Sequence, residues 1–179
     1  VGTNSLAVVS IGYAPTADAA SFDVFRPDAS DAAYTLIEGL TITGAGIPPT
    51  SGEGQSTSGN GLGAILCAIN QIKFLPEVEC SPALNNVQVS GNLGLVGGGM
   101  SGGLNTTESK FSPVISNSVF SGNAAQFGGA IGTGSATSMR VTNTVFADNT
   151  ALTGGGAITI VGLAKDPMNV SISASKFER

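Results

Sequence analysis

Phe120-Ser121-Gly122-Asn123, followed by Gly128-Gly129-Ala130-Ile131, decides the fold because the pattern returns. It stands earlier as Val89-Ser90-Gly91-Asn92 with Gly97-Gly98-Gly99-Met100, and later as Phe146-Ala147-Asp148-Asn149 with Gly154-Gly155-Gly156-Ala157-Ile158. Successive copies are 31 and 26 residues apart. Recurrence at such a period marks a solenoid, in which each copy is one coil.

Working outward from the anchors Ile42, Val89, Phe120, Phe146 and Phe177, an aliphatic precedes each by five residues: Ile37, Leu84, Ile115, Val141 and Ile172. Three residues before the anchor stand Asn86, Asn117 and Asn143, with Gly39 and Ala174 in the outer copies. Beyond it come Asn92, Asn123 and Asn149, with Gly44 as the counterpart in the earliest copy. In Val141-Thr142 and Ile172-Ser173 the apolar residue points in and its polar neighbour out, as strand alternation requires. Alternation alone cannot bury both the aliphatic and the anchor, since their positions differ by an odd number. The strand must turn between them, and Asn suits a corner because it tolerates unusual backbone angles and bonds locally. The second Asn marks the next corner. Stacked coil upon coil, these amides are expected to form ladders inside the turns. Phe120, Phe146 and Phe177 are expected to stack as an aromatic ladder. The glycine runs suit positive φ or close backbone approach, and Ala130-Ile131 and Ala157-Ile158-Thr159-Ile160 re-enter a strand. Gly, Ser, Thr and Asn interrupt every helical window. The reading is an all-β parallel β-helix of about six coils.

Within the 179 residues, 1–44 read as irregular first coils, 45–83 as insertion loops and 84–179 as regular coils of a single β-helix segment. Leu6-Ala7-Val8-Val9-Ser10-Ile11 and Ser21-Phe22-Asp23-Val24-Phe25 read as strands, and Tyr34 to Thr43 as a strand–corner–strand unit. Residues 45–60 form one excursion, after which Gly61-Leu62-Gly63-Ala64-Ile65 supplies a delayed glycine element. Residues 66–83 form a second excursion carrying Cys67 and Cys80.

A net charge of −5 with only seven scattered Lys and Arg argues against a nucleic-acid partner. No stretch approaches the ~20 apolar residues that span a bilayer. A Cys67–Cys80 disulfide closing its loop contributes roughly 3 kcal/mol, the alternative being two free thiols. With the sequons at Asn105 and Asn169, it favours an extracellular or cell-surface setting.

The pairing of Phe-x-x-Asn (Phe120 to Asn123, Phe146 to Asn149) with Gly-Gly-Ala-Ile (Gly128 to Ile131, Gly155 to Ile158) resembles the repeat of the chlamydial polymorphic outer membrane proteins. The resemblance covers roughly residues 84–179, and the coil at 34–44 looks like the wider pectin-lyase-like superfamily. It implies a right-handed parallel β-helix and a surface adhesin. The chain departs from that family in lacking an autotransporter barrel, and no catalytic residue carries over.

Histidine is absent, which excludes His-based acid–base chemistry. Arg140 and Asp148 read as a solvated exterior pair rather than a catalytic one. No repeat face offers two carboxylates in register for glycoside cleavage. Asp23, Asp28 and Asp31 match no calcium loop. The outward column Glu38, Asn85, Ser116, Thr142, Ser173 is polar but not the threonine array that ice binding requires. The expectation is therefore a non-catalytic structural β-solenoid without cofactor or metal: an adhesin segment, rigid spacer or filament component. The alternatives are a glycan-binding module, through its long loops, and a polysaccharide-degrading enzyme. Because Phe177 opens another coil just before Arg179, the expected partners are further coils of the polypeptide or stacked copies of it, with surface glycans or host proteins as possible ligands.

Overall fold

A computed structural model describes residues 9–11, 36–45, 63–67, 79–102, 110–134, 137–161 and 168–179. The expected strand at Ser21–Phe25, most of the two excursions, Asn105, Asp23, Asp28 and Asp31 lie outside them. Among the described residues every regular element is a short strand, and there is no helix.

Strand β1 (Val9–Ile11) precedes the first full coil. That coil contains β2 (Leu36–Glu38), β3 (Thr41–Thr43), β4 (Ile65–Cys67) and β5 (Glu79–Cys80). The second contains β6 (Ala83–Asn85), β7 (Gln88–Ser90), β8 (Leu93–Val96), β9 (Met100–Gly102) and β10 (Lys110–Phe111). The third contains β11 (Val114–Ser116), β12 (Val119–Ser121), β13 (Ala124–Phe127) and β14 (Ile131–Thr133). The fourth contains β15 (Ser138–Thr142), β16 (Val145–Ala147), β17 (Thr150–Thr153) and β18 (Ile158–Ile160), and the fifth β19 (Asn169–Ser173) and β20 (Lys176–Glu178).

Equivalent strands stack into parallel sheets: β2-β6-β11-β15-β19, β3-β7-β12-β16-β20, β8-β13-β17 and β1-β4-β9-β14-β18, with β5 pairing β10. Parallel sheets joined coil by coil make a parallel β-solenoid. Register follows the sequence columns. Ile37, Leu84, Ile115, Val141 and Ile172 are successive partners. So are Ile42, Val89, Phe120, Phe146 and Phe177, and Ile65, Met100, Ile131 and Ile158. These three columns point inward and form most of the core.

A corner ends each strand of the β2-β6-β11-β15-β19 sheet. Asn86, Asn117 and Asn143 have φ of 54°, 50° and 49°, and Gly39 and Ala174 take the same conformation at 66° and 47°. This left-handed region is cheap for Gly and Asn and costly for other residues. Ala174 shows that a tightly determined corner holds even without the amide.

Gly44 is not the counterpart of the second Asn. Ala45 holds that place, donating its backbone N–H to Asn92 Oδ1 at 3.0 Å. Gly44, at φ 75°, instead matches Gly91, Gly122 and Asp148 at the positive-φ residue just before the ladder.

The glycine runs serve backbone contact between coils. A Cβ on Gly129 would lie 2.2 Å from the Gly156 carbonyl oxygen, and one on Gly98 would lie 2.7 Å from that of Gly129. The delayed element of the first coil obeys the same rule: Ala64 and Ile65 donate to Gly98 and Gly99 carbonyls at 3.0 and 2.9 Å. Cys67 and Cys80 sit at the ends of β4 and β5, at the borders of the second excursion.

Candidate functional surface

The solenoid has an inner and an outer set of asparagines. The inner set is Asn92, Asn123 and Asn149. Asn123 Oδ1 accepts the backbone N–H of Asn92 at 3.1 Å and its Nδ2 at 2.9 Å. Asn149 Oδ1 accepts the same two groups of Asn123 at 3.1 and 3.0 Å. The Nδ2 groups also donate back to the anchors' carbonyls: Asn92 to Ile42, Asn123 to Val89 and Asn149 to Phe120. Asn92 and Asn123 are fully buried. Their amides are thus consumed by the stack and are closed to a ligand.

Beside them lies the aromatic column. Phe120 and Phe146 stack with ring centroids 5.4 Å apart, and Phe146 and Phe177 at 4.8 Å.

The outer set differs. Asn86, Asn117 and Asn143 are exposed at the first corner, not enclosed within it. Asn143 Nδ2 donates to Asn117 Oδ1 at 2.8 Å, and Asn117 Nδ2 donates to Asn85 Oδ1 at the same distance. Asn85 also accepts from Ser116 Oγ at 3.0 Å and donates to Glu38 Oε1. Thr142 and Ser173 hydroxyls meet at 3.4 Å. Glu38, Asn85, Ser116, Asn117, Thr142, Asn143 and Ser173 therefore form one polar row across coils, nearly all uncharged. Its amides and hydroxyls are held in a fixed lattice at the parallel-strand spacing of about 4.8 Å, each with capacity left for a solvent or ligand hydrogen bond.

A third polar column escaped the sequence reading. Ser118, Thr144 and Ser175 follow the corner residue, and each hydroxyl donates to the carbonyl two residues earlier, at 2.7, 3.0 and 2.8 Å. Ser118 and Ser175 also accept the N–H of Val87 and Thr144, one coil earlier. The signal was available as Asn-Ser, Asn-Thr and Ala-Ser, but Val87 interrupts it. A buried contact between Thr133 and Thr137, Oγ1 to Oγ1 at 2.6 Å, was also missed, because no residue type repeats there.

Arg140 and Asp148 are both exposed, on β15 and at the second corner, and no ion pair joins them. The ion pair that does form among the described side chains is Lys176 with Glu178 on one strand. Among the described residues no group of three or more His, Cys, Asp and Glu is placed to hold a metal ion. No described helix is long and apolar enough to cross a membrane. Asn169 opens β19 with its side chain exposed. The expected Cys67–Cys80 bridge involves a side chain outside the described ones.

No protein-family model, curated protein or solved structure matches the chain.

Proposed function

We propose that this chain is a non-catalytic structural β-solenoid of the extracellular space or a cell surface, acting as an adhesin segment, rigid spacer or filament component. One observation carries the reading. The anchor, the inner asparagine and the glycine run of the motif are spent on stacking: Phe on the aromatic column, inner Asn on the amide ladder, the glycine run on backbone contact. A repeat so used makes a stiff rod and leaves only the outer rows to meet a partner. The Phe-x-x-Asn and Gly-Gly-Ala-Ile pairing supports a right-handed coil of the polymorphic-membrane-protein type within the pectin-lyase-like architecture. The exposed sequon at Asn169 supports a glycosylated, exterior protein.

Coil-on-coil partners fit the fifth coil. Ile172 and Phe177 hold inward columns that are buried in the preceding coils, yet are 42% and 51% exposed. Another coil, from the same polypeptide or from a second copy, would cover both and extend the ladders.

The exposed amide and hydroxyl row favours a second reading, a glycan-binding module, since fixed neutral donors and acceptors suit sugar hydroxyls. A polysaccharide panel scored for retention and for cleavage tests both. The structural reading expects neither. Retention that Asn117→Ala with Asn143→Ala abolishes establishes the binding module, and cleavage of any polymer overturns both readings.

A further inference from the structure

We propose that the outer face of the β2-β6-β11-β15-β19 sheet is a self-pairing surface, on which a second copy of the chain lies side by side with its coils in the opposite order. The pairing is lateral, distinct from coil-on-coil stacking at the fifth coil, and does not depend on the functional reading above.

Charge placement carries it. The outward residues of this sheet form two columns. One reads Leu36, Ala83, Val114, Arg140 and Ser171, and the other Glu38, Asn85, Ser116, Thr142 and Ser173. Ser138 and Asn169 extend the face at β15 and β19. Among these described residues Glu38 and Arg140 are the only charges. Both are exposed and neither is in an ion pair, since the pair among the described side chains joins Lys176 to Glu178. They stand three strands apart, about 14 Å, which is too far to pair within one chain.

A half-turn about an axis along the strands, placed between β6 and β11, brings the two charges together across two copies. It lays β2 over the partner's β15 and β6 over the partner's β11, and keeps each column on itself. Glu38 then faces the partner's Thr142 and lies two residues along the strand from the partner's Arg140. That offset is about 7 Å, which two long side chains span to make a charge-assisted hydrogen bond. Symmetry makes the contact twice. Between the two ion pairs the face is neutral. Leu36, 60% exposed, packs against the apolar stem of the partner's Arg140, Ala83 meets the partner's Val114, and Asn85 meets the partner's Ser116. A half-turn about the solenoid axis would instead exchange the two columns within each coil. Glu38 would then face the partner's Leu36, and Arg140 the partner's Thr142, so the charges select the opposed order.

The face spans five strands, so at about 4.8 Å per strand and about 3.3 Å per residue it buries roughly 300 Å² on each copy. A stable pair needs ~800 Å² a side. Association is therefore weak, and its strength and orientation rest on the two ion pairs.

Sedimentation equilibrium of the whole 179-residue chain, carried to its highest soluble concentration, reads the association. The expected result is a monomer–dimer equilibrium that weakens with added salt. Glu38→Arg or Arg140→Glu alone should each weaken the dimer at least about tenfold, because each places like charges together. An equimolar mixture of the two variants should recover the association, since each supplies the charge the other lacks. The chain carrying both substitutions should recover it alone. Recovery separates charge pairing from misfolding. A parent chain that stays monomeric throughout overturns the proposal. So does a dimer that neither substitution weakens, as end-on stacking through Ile172 and Phe177 would give, and so does a mixture that fails to recover.

Discussion

The carboxamide oxygen of Asn123 accepts both the backbone N–H and the side-chain Nδ2 of Asn92, one coil earlier, inside a fully buried turn. One side chain thus satisfies two donors that have no access to water. The arrangement repeats between Asn123 and Asn149, so the ladder is a property of the stack and not of one turn. A buried amide is tolerated only when its hydrogen-bonding groups find partners.

The outer corner makes a different demand, on backbone conformation. Asn117 has φ 50° and an exposed side chain. Asn117→Gly should change stability by no more than about 0.5 kcal/mol, whereas Asn117→Val should cost about 1–2 kcal/mol because a β-branched residue strains the left-handed region. Urea unfolding of the two variants checks this, and equal losses would show that the side-chain ladder outweighs the backbone there.

Position along the stack should decide the weight of the aromatic column. Phe146 is buried between two rings, while Phe177, stacked on one, is half exposed. Phe146→Ala should lose about 3–5 kcal/mol, and Phe177→Ala less than half as much. Thermal unfolding of the pair distinguishes them. Equal losses would mean that the last coil is covered in solution.

Among the glycines, close approach should matter more than positive φ. A Cβ on Gly129 would meet backbone oxygens of Gly156 and Thr150 at 2.2 and 2.4 Å, while one on Gly122, at φ 60°, would meet nothing within 4 Å. Gly129→Ala should therefore cost at least about 1–3 kcal/mol. Gly122→Asn should be nearly neutral, since Asn tolerates that φ. Melting temperatures of both variants check the ordering.

These contrasts also mark how far the sequence could be read. The inward columns were legible because stacking asks for the same kind of side chain in each coil, as with Phe120, Phe146 and Phe177. Asn117 and Asn123 were not separable. Both are corner asparagines of one copy, and only the path of the chain places one outside and the other in the core. Ala45 was misaligned because the earliest copy has neither asparagine, and its Gly44 imitates a corner residue one place early. The last glycine run holds an extra residue. Thr153 pairs with Phe127 and Ile158 with Ile131, so Gly154 at φ 91° is the added residue. The Thr133–Thr137 contact was hidden because no residue type repeats at those two places. The outer polar row was visible as a column, but its hydrogen bonding was not.

The central claim is that the repeated asparagines of the inner turn are structural and buried. Its most direct test is the equilibrium urea unfolding of Asn123→Leu beside Asn117→Gly, which removes the outer amide without straining the left-handed corner. Leu at position 123 removes the acceptor of Asn92 and the donor to Val89, leaving buried groups unpaired, and should cost at least about 1–3 kcal/mol more than the exposed change at 117. An Asn123→Leu chain as stable as Asn117→Gly would contradict the buried ladder and with it the account of the repeat.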